Sequence, residues 1–246
     1  MCENFKSTQI CAAKRHDSIY VAFSRPGRQH MLDIMKSPAT AGNMKFDFFR
    51  DTKAHESPID CLVMTHDGSL IATASVKGTL IRIFNLEGQL LKEVRRSRIN
   101  PAKAISMAFS ECQNYLCCSF DSQTVHIFDL EKIESYEAVR DHRNSSYYQR
   151  FVRYPLVAVG ESITGYNIDT VLCKTSDWTF KCDSRCPDIL SVQVIKVKST
   201  IRLIIDEGFY MPTHAYECDL RGIKKARKIN FDIKKEISAN GLLWTF

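Results

Sequence analysis

Short apolar runs rich in β-branched residues return along this chain at a nearly constant interval. YVAFS, LIATAS, YLCCSF, LVAVGE and LIIDEG are anchored at Ala22, Ala72, Cys117, Ala158 and Leu203, which stand 50, 45, 41 and 45 residues apart. Runs this short have the length of strands rather than helices, and helical periodicity is weak throughout. The interval matches the roughly 40 to 45 residues of one propeller blade, a radial sheet of four short antiparallel strands. The chain therefore reads as all-β, a single β-propeller domain over residues 1–246 with a partial or reduced ring of about four to five blades. With 44% hydrophobic residues it has the apolar surface to fill such a core.

The best-defined unit is legible strand by strand. PIDCLVMT alternates, HDGS turns, LIATAS and LIRIFNL are strands joined by VKGT, and EGQ leads into LLKEV. AISMAFS, ECQN, YLCCSF, DSQ and TVHIFDL repeat that order. From about residue 131 to 176 the pattern loosens into a polar, tyrosine-rich excursion. It is much longer than the ~12 to 15 residues beyond which a loop is usually functional or disordered. Within it, LVAVGESITGYNID reads as a hairpin or a degenerate blade. Strands return in ILSVQVIKV, TIRLIID and THAYECDL, and the basic tail RGIKKARKINFDIKK reads as a solvated face.

Several function classes fall away. The N-terminus lacks the apolar run of a secretory signal, and no stretch reaches the roughly 18 apolar residues of a membrane helix, so a cytosolic protein with peripheral membrane contact is expected. The ten cysteines then read as reduced thiols, with Cys61, Cys117, Cys118 and Cys218 among apolar neighbours. Cys182 and Cys186 have no second close pair to complete a zinc site, so neither metal nor cofactor is expected. G-x-S-x-G, P-loop and H-E-x-x-H motifs are absent, so an enzyme is not expected. The net charge of +6 suits an acidic partner without choosing one, and no aromatic ribonucleoprotein motif points to nucleic acid.

One feature asks for chemistry. LKEVRRSR puts Arg95 and Arg96 side by side where a strand-like run ends. In extended chain, successive side chains point to opposite faces, so the doublet serves two separate anion pockets or is a solvated pair.

The surroundings bear on that choice. AHESPIDCLVMTHDGSLIATASVKGTLIRIF, then VRRS, then SFDSQTVHIF form an ordered series over about residues 54 to 130. That series resembles the PROPPIN family, WD-type β-propellers that bind phosphoinositides in autophagy and endolysosomal traffic. The resemblance implies that Arg95 serves one head-group pocket with His55, Ser75, Thr79 and Arg82. Arg96 would serve the other with Ser119, Thr124 and His126. Guanidinium forks bind phosphate oxygens bidentately, while hydroxyls and imidazoles fill the remaining acceptor positions.

The same resemblance implies that the excursion enters the bilayer. Tyr147, Tyr148, Phe151 and Tyr154 would then lie at the interface, the alternative being a solvated loop packed back on the domain. It implies as partners membranes containing phosphatidylinositol 3-phosphate and 3,5-bisphosphate, and autophagy proteins including a lipid-transfer protein. The location implied is the preautophagosomal, endosomal or vacuolar membrane. Two departures keep a second reading open, a protein-interaction propeller that has lost lipid binding. Val94 and Ser97 replace the family's Phe and Gly around the arginines, and the chain aligns with roughly the last four of seven blades. A smaller ring, a second chain or a truncated gene product would each account for the length.

Overall fold

The computed structural model describes residues 9–39, 45–96, 102–133, 135–137, 174–175, 178–181, 191–197, 200–206, 214–219 and 227–229. Sheet 1 is the meander β1 (Ile10–Arg15), β2 (Ser18–Arg25), β3 (Arg28–Pro38) and β4 (Asp47–Lys53). Sheet 2 follows as β5 (Ile59–Met64), β6 (Ile71–Ser75), β7 (Leu80–Phe84) and β8 (Leu90–Arg95). Sheet 3 has β9 (Ala104–Phe109), β10 (Tyr115–Phe120) and β11 (Thr124–Asp129), and is completed by β13 (Trp178–Lys181). Sheet 4 is β14 (Ser191–Val197), β15 (Thr200–Asp206), β16 (His214–Asp219) and β17 (Arg227–Ile229), the last strand lying within the basic tail. Four consecutive antiparallel meanders of this kind are the blades of a WD-type propeller.

The anchors Ala22, Ala72, Cys117 and Leu203 fall in β2, β6, β10 and β15, the second strand of each sheet. Ala158 lies outside the described residues, as do Ser97, Tyr147, Tyr148, Phe151, Tyr154, Cys182 and Cys186. The long excursion lies between the third and fourth strands of sheet 3, since Trp178–Lys181 pairs antiparallel with β11. Before that, β12 (Lys174–Thr175) pairs parallel with β8, Lys174 opposite Val94 and Thr175 opposite Arg95.

Among the described residues, two inter-sheet spaces each have their own core. Ala22, Leu32 and Ile34 of sheet 1 meet Ile59, Leu62, Ile71 and Phe84 of sheet 2. The opposite face of sheet 2, with Ala72, Ala74, Ile81, Ile83 and Val94, meets Met107, Leu116, Cys118, Phe120 and Phe128 of sheet 3. Residues alternate between the two faces of the sheet along a strand, and the central strands β6 and β10 are buried at every position. Cys61, Cys117 and Cys118 are buried free thiols. Burial pushes Cys61 and Cys117 up to about 12, so they stay protonated and unreactive.

Candidate functional site

Alternation decides which inter-sheet space each arginine enters. The doublet straddles a strand end, with Arg95 the last residue of β8 and Arg96 the first beyond it. Val94 points into the core shared with sheet 3, so Arg95 points to the side of sheet 1. Its cross-strand partner is Leu80, and the same face carries the register-paired Thr73, Arg82 and Glu93, with Ser75 two residues beyond Thr73. Arg96 turns the other way, and its guanidinium carbon lies 4.9 Å from the centroid of Phe120 in sheet 3.

The first cleft, between sheets 1 and 2, gathers His55, Ser75, Arg82 and Arg95. His55 enters from the β4–β5 connection and is 3% exposed. Its Nε2 lies 2.9 Å from Thr73 Oγ1 and 3.2 Å from the Thr73 carbonyl oxygen. Burial, then the Arg82 charge, lowers its pKa to about 4, so the ring is neutral near pH 7. Arg82 is occupied by protein groups: Nε donates to Glu93 Oε2 at 2.7 Å and Nη1 to the Ala54 carbonyl at 2.7 Å. Arg95 differs. Its side chain is half-buried, and among the described residues its Nε is buried without a hydrogen-bond partner.

The second cleft, between sheets 2 and 3, holds Arg96, Thr124 and His126. Arg96 is 9% exposed, and its Nη1 donates a long hydrogen bond of 3.5 Å to Ser122 Oγ, which lies 2.8 Å from Thr124 Oγ1. Its backbone N–H donates to the Thr79 carbonyl at 3.0 Å, so Thr79 anchors the second arginine through the main chain. His126 stands edge-on to Phe120 at 5.3 Å, and its Nδ1 lies 3.3 Å from Thr179 Oγ1. Burial, then Arg96, lowers its pKa to about 4. Burial also lowers the pKa of Arg96, opposed by the Asp121 carboxylate.

Ser119 is not brought to this group. It pairs with Val125 and Ser106, on the face of sheet 3 turned away from Arg96, and is fully buried. The neighbour one position on, Phe120, shares a face with Thr124, Cys118 and His126 and contacts the arginine instead. Four further residues shape the clefts: Thr73, Glu93, Phe120 and Ser122. The period-2 alternation of β6, β8 and β10 carries the signal for the first three. For Ser122, a turn residue, no pattern in the sequence does.

The sequence matches the PROPPIN family over residues 6–160. Autophagy-related protein 18 of Aspergillus oryzae is 36% identical over 114 residues, covering 46% of this chain and 27% of the relative. Autophagy-related protein 18e of Arabidopsis thaliana is 43% identical over 89 residues, 36% of this chain and 24% of the relative. The chain thus aligns with about a quarter of the length of these curated relatives. Among solved structures, Kluyveromyces lactis Hsv2 superposes with a TM-score of 0.58 at 17% identity, covering 89% of this chain and 60% of that one. A complex of KlAtg21 with the coiled-coil of AgAtg16 superposes at 0.53 and 19% identity, over 91% and 57%. These likenesses carry the propeller fold, and the family match over more than half of the sequence carries the kinship: the chain belongs to the PROPPIN family.

Proposed function

We propose that this chain is a phosphoinositide-binding, non-enzymatic recruiter. It engages membranes containing phosphatidylinositol 3-phosphate or 3,5-bisphosphate through the two clefts flanking Arg95 and Arg96 and brings autophagy proteins, a lipid-transfer protein among them, to preautophagosomal, endosomal or vacuolar membranes. The observation that carries this reading is Arg95: a guanidinium at a strand end with a buried Nε that no described residue accepts from. An unsatisfied buried donor costs ~1–3 kcal/mol, which an incoming phosphate oxygen recovers. Ser75 and Arg95 frame that cleft, while His55 and Arg82 serve as its supports, one neutral and the other tied to Glu93. Arg96, Thr124 and His126 frame the second. Binding at two clefts on one rim makes the second contact effectively intramolecular, so modest single contacts suffice for membrane residence.

The test is vesicle co-sedimentation. The Arg95→Thr, Arg96→Thr double variant is expected to lose at least tenfold in affinity for vesicles carrying either lipid. Unchanged sedimentation of a folded double variant would favour the scaffold reading, in which the clefts are relics and only protein partners are held.

A further inference from the structure

The family resemblance implies Ser119 for the Arg96 cleft, but the register of sheet 3 turns that serine away. Another hydroxyl stands beside the guanidinium, that of Ser122. Ser122 is the middle residue of loop 121–123, which joins β10 to β11 between the paired residues Phe120 and Thr124. The Gln123 N–H donates to the Phe120 carbonyl at 3.0 Å and Gln123 takes φ +57, a turn followed by a left-handed residue, which suits a three-residue hairpin loop. Main-chain bonds also tie the loop to the segment entering β9: the Asp121 N–H donates to the Lys103 carbonyl at 3.0 Å. The Asp121 carboxylate accepts from the Lys103 N–H, also at 3.0 Å. A loop held in this way presents an exposed Ser122 on the Arg96 side.

The hydroxyl protons can be counted. Ser122 Oγ accepts from Arg96 Nη1 at 3.5 Å and lies 2.8 Å from Thr124 Oγ1. Of two hydroxyls joined by one hydrogen bond, one gives its proton to the other and one keeps its own. Among the described residues the pair has no further partner, so one O–H donor is left beside a guanidinium whichever way the bond runs. We infer that Ser122 belongs to the binding machinery of the Arg96 cleft: its hydroxyl, paired with that of Thr124, takes the place Ser119 does not reach and binds a phosphate oxygen held by Arg96. This rests on the phosphoinositide reading above and adds a residue to it. A hydroxyl bonded to a charged phosphate contributes about tenfold in affinity.

Co-sedimentation with phosphatidylcholine vesicles carrying phosphatidylinositol 3-phosphate tests the assignment, with plain phosphatidylcholine vesicles as the blank. In an Arg95→Thr background the Arg96 cleft is the one left intact, and there Ser122→Ala is expected to weaken binding about tenfold. Ser122→Thr keeps a hydroxyl and is expected to hold the parent affinity, as is Ser119→Ala. In an Arg96→Thr background Ser122→Ala is expected to change nothing, a contrast that a general loss of folding would not produce. Unchanged binding of Ser122→Ala beside Arg95→Thr would overturn the inference. So would an equal loss beside Arg96→Thr, a loss that Ser122→Thr shares, or a loss from Ser119→Ala as large as that from Ser122→Ala. Should the Arg95→Thr parent bind too weakly to measure, the same substitutions in the wild-type chain decide. Wild-type protein that sediments no better with the phosphoinositide than with the blank would overturn the lipid reading itself, and this assignment with it.

Discussion

His55 and His126 carry their imidazoles into the two clefts with 3% and 7% of their surface exposed, each beside a guanidinium. Charging either ring means stripping a cation of water next to another cation, so the fold holds both near pKa 4 against 6.5 unfolded. The sign follows directly. Above pH 6.5 neither state takes the proton and stability is flat; between 6.5 and 4 the unfolded chain is protonated and the folded one is not. Acidification therefore favours unfolding through that window and adds nothing further below it. The full shift amounts to ~3 kcal/mol for each histidine, so the pair approaches the ~5–15 kcal/mol of a typical domain's stability. Urea midpoints are expected to hold from pH 8 to about 6.5 and then to fall, with His126→Gln shallower in slope than wild type. A midpoint rising with acid would contradict neutral histidines.

At the scale of elements, the turn between β6 and β7 decides where the doublet goes. Gly78 sits there at φ +56, and a Cβ built on it would fall 1.6 Å from the Ala102 carbonyl oxygen. That contact joins the turn to the segment leading into β9, and the neighbouring Thr79 carbonyl accepts from the Arg96 N–H. Gly78→Ala combines a strained backbone with a main-chain clash, a combination expected to cost at least ~2 kcal/mol. It should lower the melting temperature by roughly 5 °C or more, and it should weaken the Arg96 cleft by moving its anchor. Differential scanning calorimetry with head-group titration tests both, and an unchanged melting temperature would contradict the close approach. Strands like these announce themselves, because period-2 alternation and turn residues are local properties of Ile59–Met64 or Thr124–Asp129. The parallel seat of Lys174–Thr175 beside Val94–Arg95 does not, since two residues hold no period and their partner lies far back in the chain. Ser119 and Phe120 show the finer limit. A motif names both positions, but only the register of β10 against β11 shows which of the two faces Arg96.

For the whole molecule, the consequence lies on sheet 1. Its inner face packs against sheet 2, with Phe49 edge-on to Tyr20 at 5.5 Å. Its other face carries half-buried Val21, Phe23 and Met35, with Ile10 66% exposed and Phe48 61% exposed. The Arg25–Asp33 ion pair at 2.9 Å interrupts this surface at the hairpin end, a polar guard of the kind that limits sheet-to-sheet stacking. Burying Ile10 and Phe48 on association contributes only ~2–3 kcal/mol each. Joining two proteins costs ~4–15 kcal/mol in lost freedom, so these residues support weak association and not a permanent dimer. The 246-residue chain is therefore expected to self-associate in proportion to its concentration, visible as a rising sedimentation coefficient. Ile10→Lys with Phe48→Lys should abolish that rise while head-group affinity stays at the wild-type value, because neither residue approaches the two clefts. A rise that survives both substitutions would place the association elsewhere and leave this sheet face without a role in it.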